Sequence, residues 1–168
     1  MRNFGHPDAR DPTPININTA IRDTAVIARN EHKYVADLHL DLGDVPSVLG
    51  YPSEFHQVIL NLIVNAAHAI TDARPDGAER GFITVRSWAD ATHAGVSVTD
   101  DGCGMTPETR ARIFDPFFTT KEVGRGTGQG LTIVHNVVVD KHHGTIDVDT
   151  TPGRGTTITV RLPRPVGQ

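Results

Sequence analysis

The run Val58-Ile-Leu-Asn-Leu-Ile-Val-Asn-Ala-Ala-His-Ala-Ile70 is apolar at nearly every position. A helix that is apolar almost all round is a buried helix. Yet this one carries Asn61 and Asn65, and i, i+4 spacing stacks the two amides on one face, one turn apart. Burying an amide without a partner costs about 1–3 kcal/mol. Two on one stripe therefore ask either for a shared polar object or for bonds to each other and to nearby backbone. Downstream lie Asp100-Asp-Gly-Cys-Gly104 and Gly124-Arg-Gly-Thr-Gly-Gln-Gly130, both dense in glycine. A carboxylate, two amides and a glycine-rich loop together point to a metal–nucleotide site.

The rest of the composition narrows the class. A chain of 168 residues, 38% hydrophobic and 21% charged, suits one globular domain with a real core. Aromatic content is only 5%, so that core must be aliphatic. A formal net charge of −4 argues against a nucleic-acid partner read through a basic face. Cys103 is the single cysteine. It allows no intrachain disulfide and no cysteine-held zinc, which fits a reducing, cytoplasmic setting. The first residues lack the apolar run of a signal peptide. No stretch reaches the roughly 20 apolar residues of a membrane-spanning helix. No direct membrane contact is expected; any tether of a parent protein lies outside this chain.

Residues 1–14 hold three prolines and read as a linker, or as the end of a preceding domain. Apolar residues at Ile17, Ile21, Ala25 and Ala28 predict a helix over 15–30, with Val26 and Ile27 widening its stripe and Asn16 or Asn18 as cap. Leu38, Leu40 and Leu42 alternate with Asp37, His39 and Asp41, a half-buried strand. Val45 to Gly50 is a short strand that Pro46 places at an edge. Ser53 is the expected cap of the Asn-bearing helix, which runs from about Glu54 to Thr71. Residues 82–88 and 94–99 alternate and form a hairpin. Thr106 caps a short helix with Pro107 at its first position. The β-branched run Leu131 to Val139 suits a strand by pattern, but the glycine loop feeding it and Lys141-His-His-Gly144 closing it favour a helix. Residues 145–150 and 156–162 form a last hairpin. Hairpins interleaved with single helices predict an α+β, two-layer sandwich with a mostly antiparallel or mixed sheet and helices on one face.

Each chemical element also has a plainer reading. Asn65, with or without Asn61, offers amide oxygen to a hard cation such as Mg²⁺, which takes oxygen ligands and is shared with phosphates. Asp100 ends a strand and can accept from an exocyclic amine such as that of adenine, while Asp-Gly alone is a turn signal. The alternating glycines from Gly124 to Gly130 can aim N–H groups at phosphate oxygens where a helix starts, with Lys121 and Arg125 as cations; a bare surface loop would look the same. The spacing is not that of the common P-loop. Phe117 and Phe118 imply a docking face or a closing segment, or simply pin their loop to the core. His68 is within reach of a phosphate on this helix but is read as a core histidine. His142-His143 is read as a helix end rather than a ligand pair, and Cys103 as a space-filler. No serine nucleophile elbow is present.

Taken in order, these segments resemble the catalytic, ATP-binding domain of bacterial sensor histidine kinases, in the GHKL (Bergerat-fold) superfamily that also holds DNA gyrase, the Hsp90 chaperone and MutL. Asn61-Leu-Ile-Val-Asn-Ala-Ala-His-Ala69 resembles the N box and Asp100-Asp-Gly-Cys-Gly104 the first glycine box. Ile113-Phe-Asp-Pro-Phe-Phe-Thr-Thr-Lys121 resembles the F box, Gly126-Thr-Gly-Gln-Gly-Leu131 the second glycine box, and Gly153-Arg-Gly-Thr-Thr157 the closing element. The resemblance covers about Ile15 to Pro163, and the domain is taken as 15–165. It implies ATP and Mg²⁺ as cofactors, held between the N-box helix and a mobile ATP lid over roughly 105–128. Asn65 would bind Mg²⁺ and Asn61 assist. Asp100 would accept from adenine, with Thr156 or Thr157 in support, near Gly102 and Gly104. Lys121, Arg125, Gly126, Thr127, Gly128, Gly130 and Leu131 would surround the phosphates. The Phe117/Phe118 pair would couple the lid to a partner domain.

The same resemblance implies transfer of a γ-phosphoryl group to a histidine on a separate two-helix dimerisation domain, with a response regulator downstream. No such acceptor segment stands in this chain. His6, near its start, lacks the acceptor's acidic, helical surroundings. A monomeric fragment without its own substrate histidine is therefore expected. Gyrase- and chaperone-type ATPases carry a glutamate where Asn61 stands, and an amide cannot act as general base. That weighs against a hydrolytic clamp; a nucleotide-binding module without transfer is the remaining alternative.

Overall fold

The computed structural model describes residues 11–77, 79–115 and 130–165. Elements run β1 (Thr13–Ile15), α1 (Ile17–Ile27), α2 (Arg29–His32), β2 (Ala36–Leu42), β3 (Val48–Gly50), α3 (Pro52–Ala73), β4 (Gly81–Ala89) and β5 (His93–Asp100). Then follow α4 (Pro107–Arg110), α5 (Gly130–His135), β6 (Thr145–Thr151) and β7 (Gly155–Pro163). A π-helical stretch, Asn136–Lys141, continues α5.

Five strands form one sheet in the order β2-β4-β5-β7-β6. Only β2 and β4 pair in parallel; the remaining pairs are antiparallel. The sheet is therefore mixed, as the hairpins and single helices predict. The last two hairpins form as read. β2 and β3, by contrast, do not pair with each other. β3 pairs instead with β1 in a separate two-stranded ribbon, Thr13 opposite Gly50. Thr13 and Pro14 are thus strand residues, and the ribbon begins inside the segment read as linker.

Strand parity separates two faces. Ile83, Val85, Val96, Val98, Ile158 and Val160 are buried and join the apolar sides of α1 and α3 in one aliphatic core. The buried stripe of α1 is Ile17, Ala20, Ile21 and Thr24. Asn16 caps this helix, accepting from the Thr19 N–H at 3.0 Å. Val26 and Ile27 do not widen the stripe: they are 75% and 66% exposed, since 100° per residue carries them round to the solvent side.

Helix α3 starts earlier than expected. Tyr51, extended at φ −120°, is its N-cap without a side-chain bond, and Pro52 occupies the first turn. Proline keeps the preceding residue out of the helical region, so the boundary falls at Tyr51 and not at Ser53. Nor is α3 buried all round. Phe55, Val58, Ile59, Leu62, Ile63, Ala66, Ala67 and Ile70 are buried, whereas Asn61, Asn65, His68 and Ala69 are half-buried.

The helical reading of 131–139 holds. It stops at His143, which takes the left-handed conformation at φ 58°. Gly144 follows because a Cβ there would stand 2.0 Å from the Arg161 carbonyl oxygen. Thr106 caps α4, its hydroxyl accepting from the Thr109 N–H.

Candidate nucleotide site

The half-buried stripe of α3 meets the start of α5 and the first glycine box. Asn61 donates through Nδ2 to the carbonyl of Gly130, the first residue of α5, at 3.3 Å. Two turns further on, the carbonyl of Ala69 accepts from the Cys103 N–H at 3.2 Å. Gly102 lies against the same point; a Cβ on it would stand 2.6 Å from the Ala69 carbonyl carbon. Asn65 is one turn from each contact. It therefore sits between the start of α5 and the turn that follows Asp100. Asn61 is also held by Gln57, whose Nε2 donates to its Oδ1 at 2.9 Å. Among the described residues Asn65 has no such partner.

Asp100 closes β5 on the helix-covered side of the sheet, in register with Ile83 and Thr156. It is 7% exposed. Burial pushes its carboxyl up to about 6, against main-chain hydrogen bonds from Gly102 and Thr156 that favour the charged form. The Gly102 N–H reaches Oδ1 at 2.8 Å. Thr156 shares this face and bonds the Thr150 hydroxyl at 2.8 Å. Thr157, one residue on, points to the opposite face, where its hydroxyl meets that of Thr99 at 2.9 Å. Of the two threonines considered for Asp100, the register puts only Thr156 beside it.

The two adjacent carboxylates divide their work. Asp101 accepts from the Phe82 N–H at 2.9 Å through Oδ1 and pairs with Arg74 at 3.1 Å through Oδ2. It clamps the end of α3 to the start of β4. The glycines of the first box also close onto protein. Gly104 is left-handed at φ 68°, and a Cβ there would meet the Thr151 carbonyl oxygen at 2.0 Å. The Cys103 carbonyl accepts from the Gly153 N–H at 2.7 Å. Gly102 and Gly104 thus seat the turn between α3 and the β6–β7 hairpin.

On the other side of the site, no described residue stands within 4 Å of a Cβ at Gly130. Leu131 follows it in α5, half-buried. Thr132 ties α5 to the segment after α4, donating through its hydroxyl to the Phe114 carbonyl at 3.1 Å. Arg110 of α4 donates through Nε and Nη2 to the Val148 carbonyl at 3.1 and 2.8 Å, covering the edge of β6. The expectations for Phe117, Phe118, Lys121, Arg125, Gly126, Thr127 and Gly128, and most of the expected lid, lie outside the described residues. His142 is buried and bonded, a helix end as read. Sequence reading missed Gln57, Thr150 and the Arg74–Asp101 pair. Gln57 stands four residues before Asn61, a spacing that could have revealed it.

The family model described as "Histidine kinase-, DNA gyrase B-, and HSP90-like ATPase" matches residues 50–166. The chain belongs to this family. The match takes in α3, Asp100 and the final hairpin, the described elements around the candidate site, and in sequence it also spans the second glycine segment. The domain thus has the histidine kinase, gyrase and chaperone ATPase fold, and its relatives are sensor kinases. The chain is 34% identical over 151 residues to the sensor histidine kinase ZraS of Escherichia coli (strain K12), covering 89% of this chain and 30% of that protein. It is 36% identical over 127 residues to sporulation kinase E of Bacillus subtilis (strain 168), covering 75% of this chain and 16% of that one. It therefore spans under a third of either relative. Among solved structures, a nucleotide-free catalytic domain of histidine kinase ThkA superposes with a TM-score of 0.77 at 29% identity, covering 92% of this chain and 99% of that one. The mycobacterial sensor histidine kinase MprB gives 0.72 at 29% identity, covering 94% and 100%. Among the described residues no helix is long and apolar enough to cross a membrane.

Proposed function

We propose that this domain binds Mg-ATP and passes its γ-phosphoryl group to a histidine on a separate dimerisation domain, ahead of a response regulator. One observation carries the reading: Asn65 stands on α3 with an amide that no described residue engages, between the helix start at Gly130 and the turn behind Asp100. Its carboxamide oxygen suits a hard cation. Among the described residues no cluster of His, Cys, Asp and Glu competes for a metal. Asn65 would hold Mg²⁺, with Asn61 in support.

When bound, Mg-ATP supplies the phosphoryl group and the charge neutralisation. The chain's own residues bind and orient. Asp100, ionised at neutral pH, accepts from the adenine amine, and Thr156 borders it on the same face. The N-terminus of α5 and the glycines before it present N–H groups to the phosphates, with Lys121 and Arg125 as cations. Catalysis on this side is positioning. The acceptor imidazole is the nucleophile and comes from the partner. Asn61, with its oxygen engaged by Gln57 and its nitrogen by Gly130, cannot take a proton from water, which disfavours a hydrolytic clamp.

The test is to mix the domain with a purified two-helix histidine domain of a sensor kinase and γ-labelled ATP. Histidine-linked label supports the proposal. Free phosphate alone favours the ATPase clamp. ATP binding with neither product leaves a binding module.

A further inference from the structure

The two helices that frame the site are antiparallel and tied at both ends. The near tie is Asn61 to the Gly130 carbonyl. At the far end His142, 5% exposed, lies against the first turn of α3. Its Nε2 accepts from the Tyr51 N–H at 2.9 Å. Its Nδ1 stands 2.8 Å from the Val137 carbonyl oxygen. A backbone N–H only donates and a carbonyl only accepts, so both bonds are satisfied by one species, the neutral ring with its proton on Nδ1.

The π-helical turn makes this reach. The His142 N–H bonds the Val137 carbonyl, five residues back, at 3.0 Å; an α-helix would pair it four back. Gly50 leaves room for the ring, since a Cβ there would stand 2.4 Å from it. Lys141 Nζ adds a second tie to Glu54 Oε1 at 2.6 Å.

We propose that His142 is a positioning residue for the phosphate side of the nucleotide site. It locks the far end of the helix that begins at Gly130 to the first turn of the helix carrying Asn61 and Asn65. It thereby sets the spacing between the phosphate-facing helix start and the amides. It touches no substrate. The inference rests on the reading that the domain binds Mg-ATP. The adenine side of the site stands on β5 and β7, where none of the His142 hydrogen bonds leads.

Calorimetric titration of Mg-ATP and NMR titration of adenosine separate the two sides. His142→Phe keeps a ring but orphans the Tyr51 N–H. It is expected to weaken Mg-ATP by about fivefold or more, the scale of one lost buried bond, with adenosine affinity held within about twofold. His142→Gln, which restores an acceptor and a donor, is expected to recover most of the loss. Gly50→Ala disturbs the ring from the other side and should give a milder form of the same selective loss, which covers the case of a His142→Phe chain that does not fold. Unchanged Mg-ATP affinity, or an equal loss of ATP and adenosine in these variants, overturns the inference. A wild-type domain that binds neither ligand instead sinks the nucleotide reading beneath it.

Discussion

Gln57 donates through Nε2 to the Oδ1 of Asn61 at 2.9 Å, so the two asparagines of α3 are not equivalent. The oxygen of Asn61 is engaged; that of Asn65 meets no partner among the described residues. Asn65→Ala is expected to remove the Mg²⁺-dependent part of ATP affinity, a loss of about tenfold or more. Gln57→Ala should leave that dependence in place. Titrations with magnesium and with chelator decide it. An Asn65→Ala domain that still gains affinity from magnesium would take this residue out of the metal site.

Asp100 gives the site a pH dependence. Its carboxyl sits at about 6 rather than 3.8 because it is buried. Accepting from an amine needs the ionised form, so adenosine affinity should fall as pH drops below about 6. At pH 5 it is expected to be about tenfold weaker than at pH 8 if this one group governs. Stability of the free domain runs the other way. The folded state binds the proton first, so this group's contribution is complete below about pH 4 and is lost as pH rises through about 6. Asp100→Asn should flatten both profiles. An unchanged adenosine pH profile in that variant would exclude the carboxylate.

Gly104 is conformationally required. It is left-handed, and a side chain would drive into the Thr151 carbonyl. Gly104→Ala is expected to cost at least about 2 kcal/mol from strain and displacement. That should lower Tm by about 4–8 °C for a domain of this size. A melting curve that overlays the wild type refutes the assignment.

Arg74 serves the scaffold. It donates to both the carbonyl and the carboxylate of Asp101, each at 3.1 Å. Arg74→Met should lower stability by about 1–2 kcal/mol through two lost, partly exposed hydrogen bonds. Adenosine affinity should stay within about twofold. A large loss of affinity with an unchanged Tm would place Arg74 in the site instead.

Much of this was legible in the chain because it is local. Asn16 and Thr106 cap their helices through bonds within three residues, and alternation at residues 82–88 and 94–99 marks the β4–β5 pair. The misreadings also have local causes. Ser53 is a good cap by type, but Pro52 moved the boundary. Val26 and Ile27 are apolar but stand on the wrong side of their helix. Asp100 and Asp101 look alike in sequence; one faces the helix layer and the other clamps α3 to β4, a distinction set by contacts with residues 74, 82 and 156.

The chain alone determined the kinds of element, the stacking of Asn61 over Asn65 and the order of the glycine segments, since these follow from periods of 3.6 and 2 and from backbone preferences acting over a few residues. Tertiary structure alone decided that β2 runs parallel to β4, that Thr156 and not Thr157 borders Asp100, and that His142 meets Tyr51 across 91 positions. Such relations depend on strand register and on helices packing against the sheet together, and no local pattern encodes the distance between residues that meet only when the whole core closes.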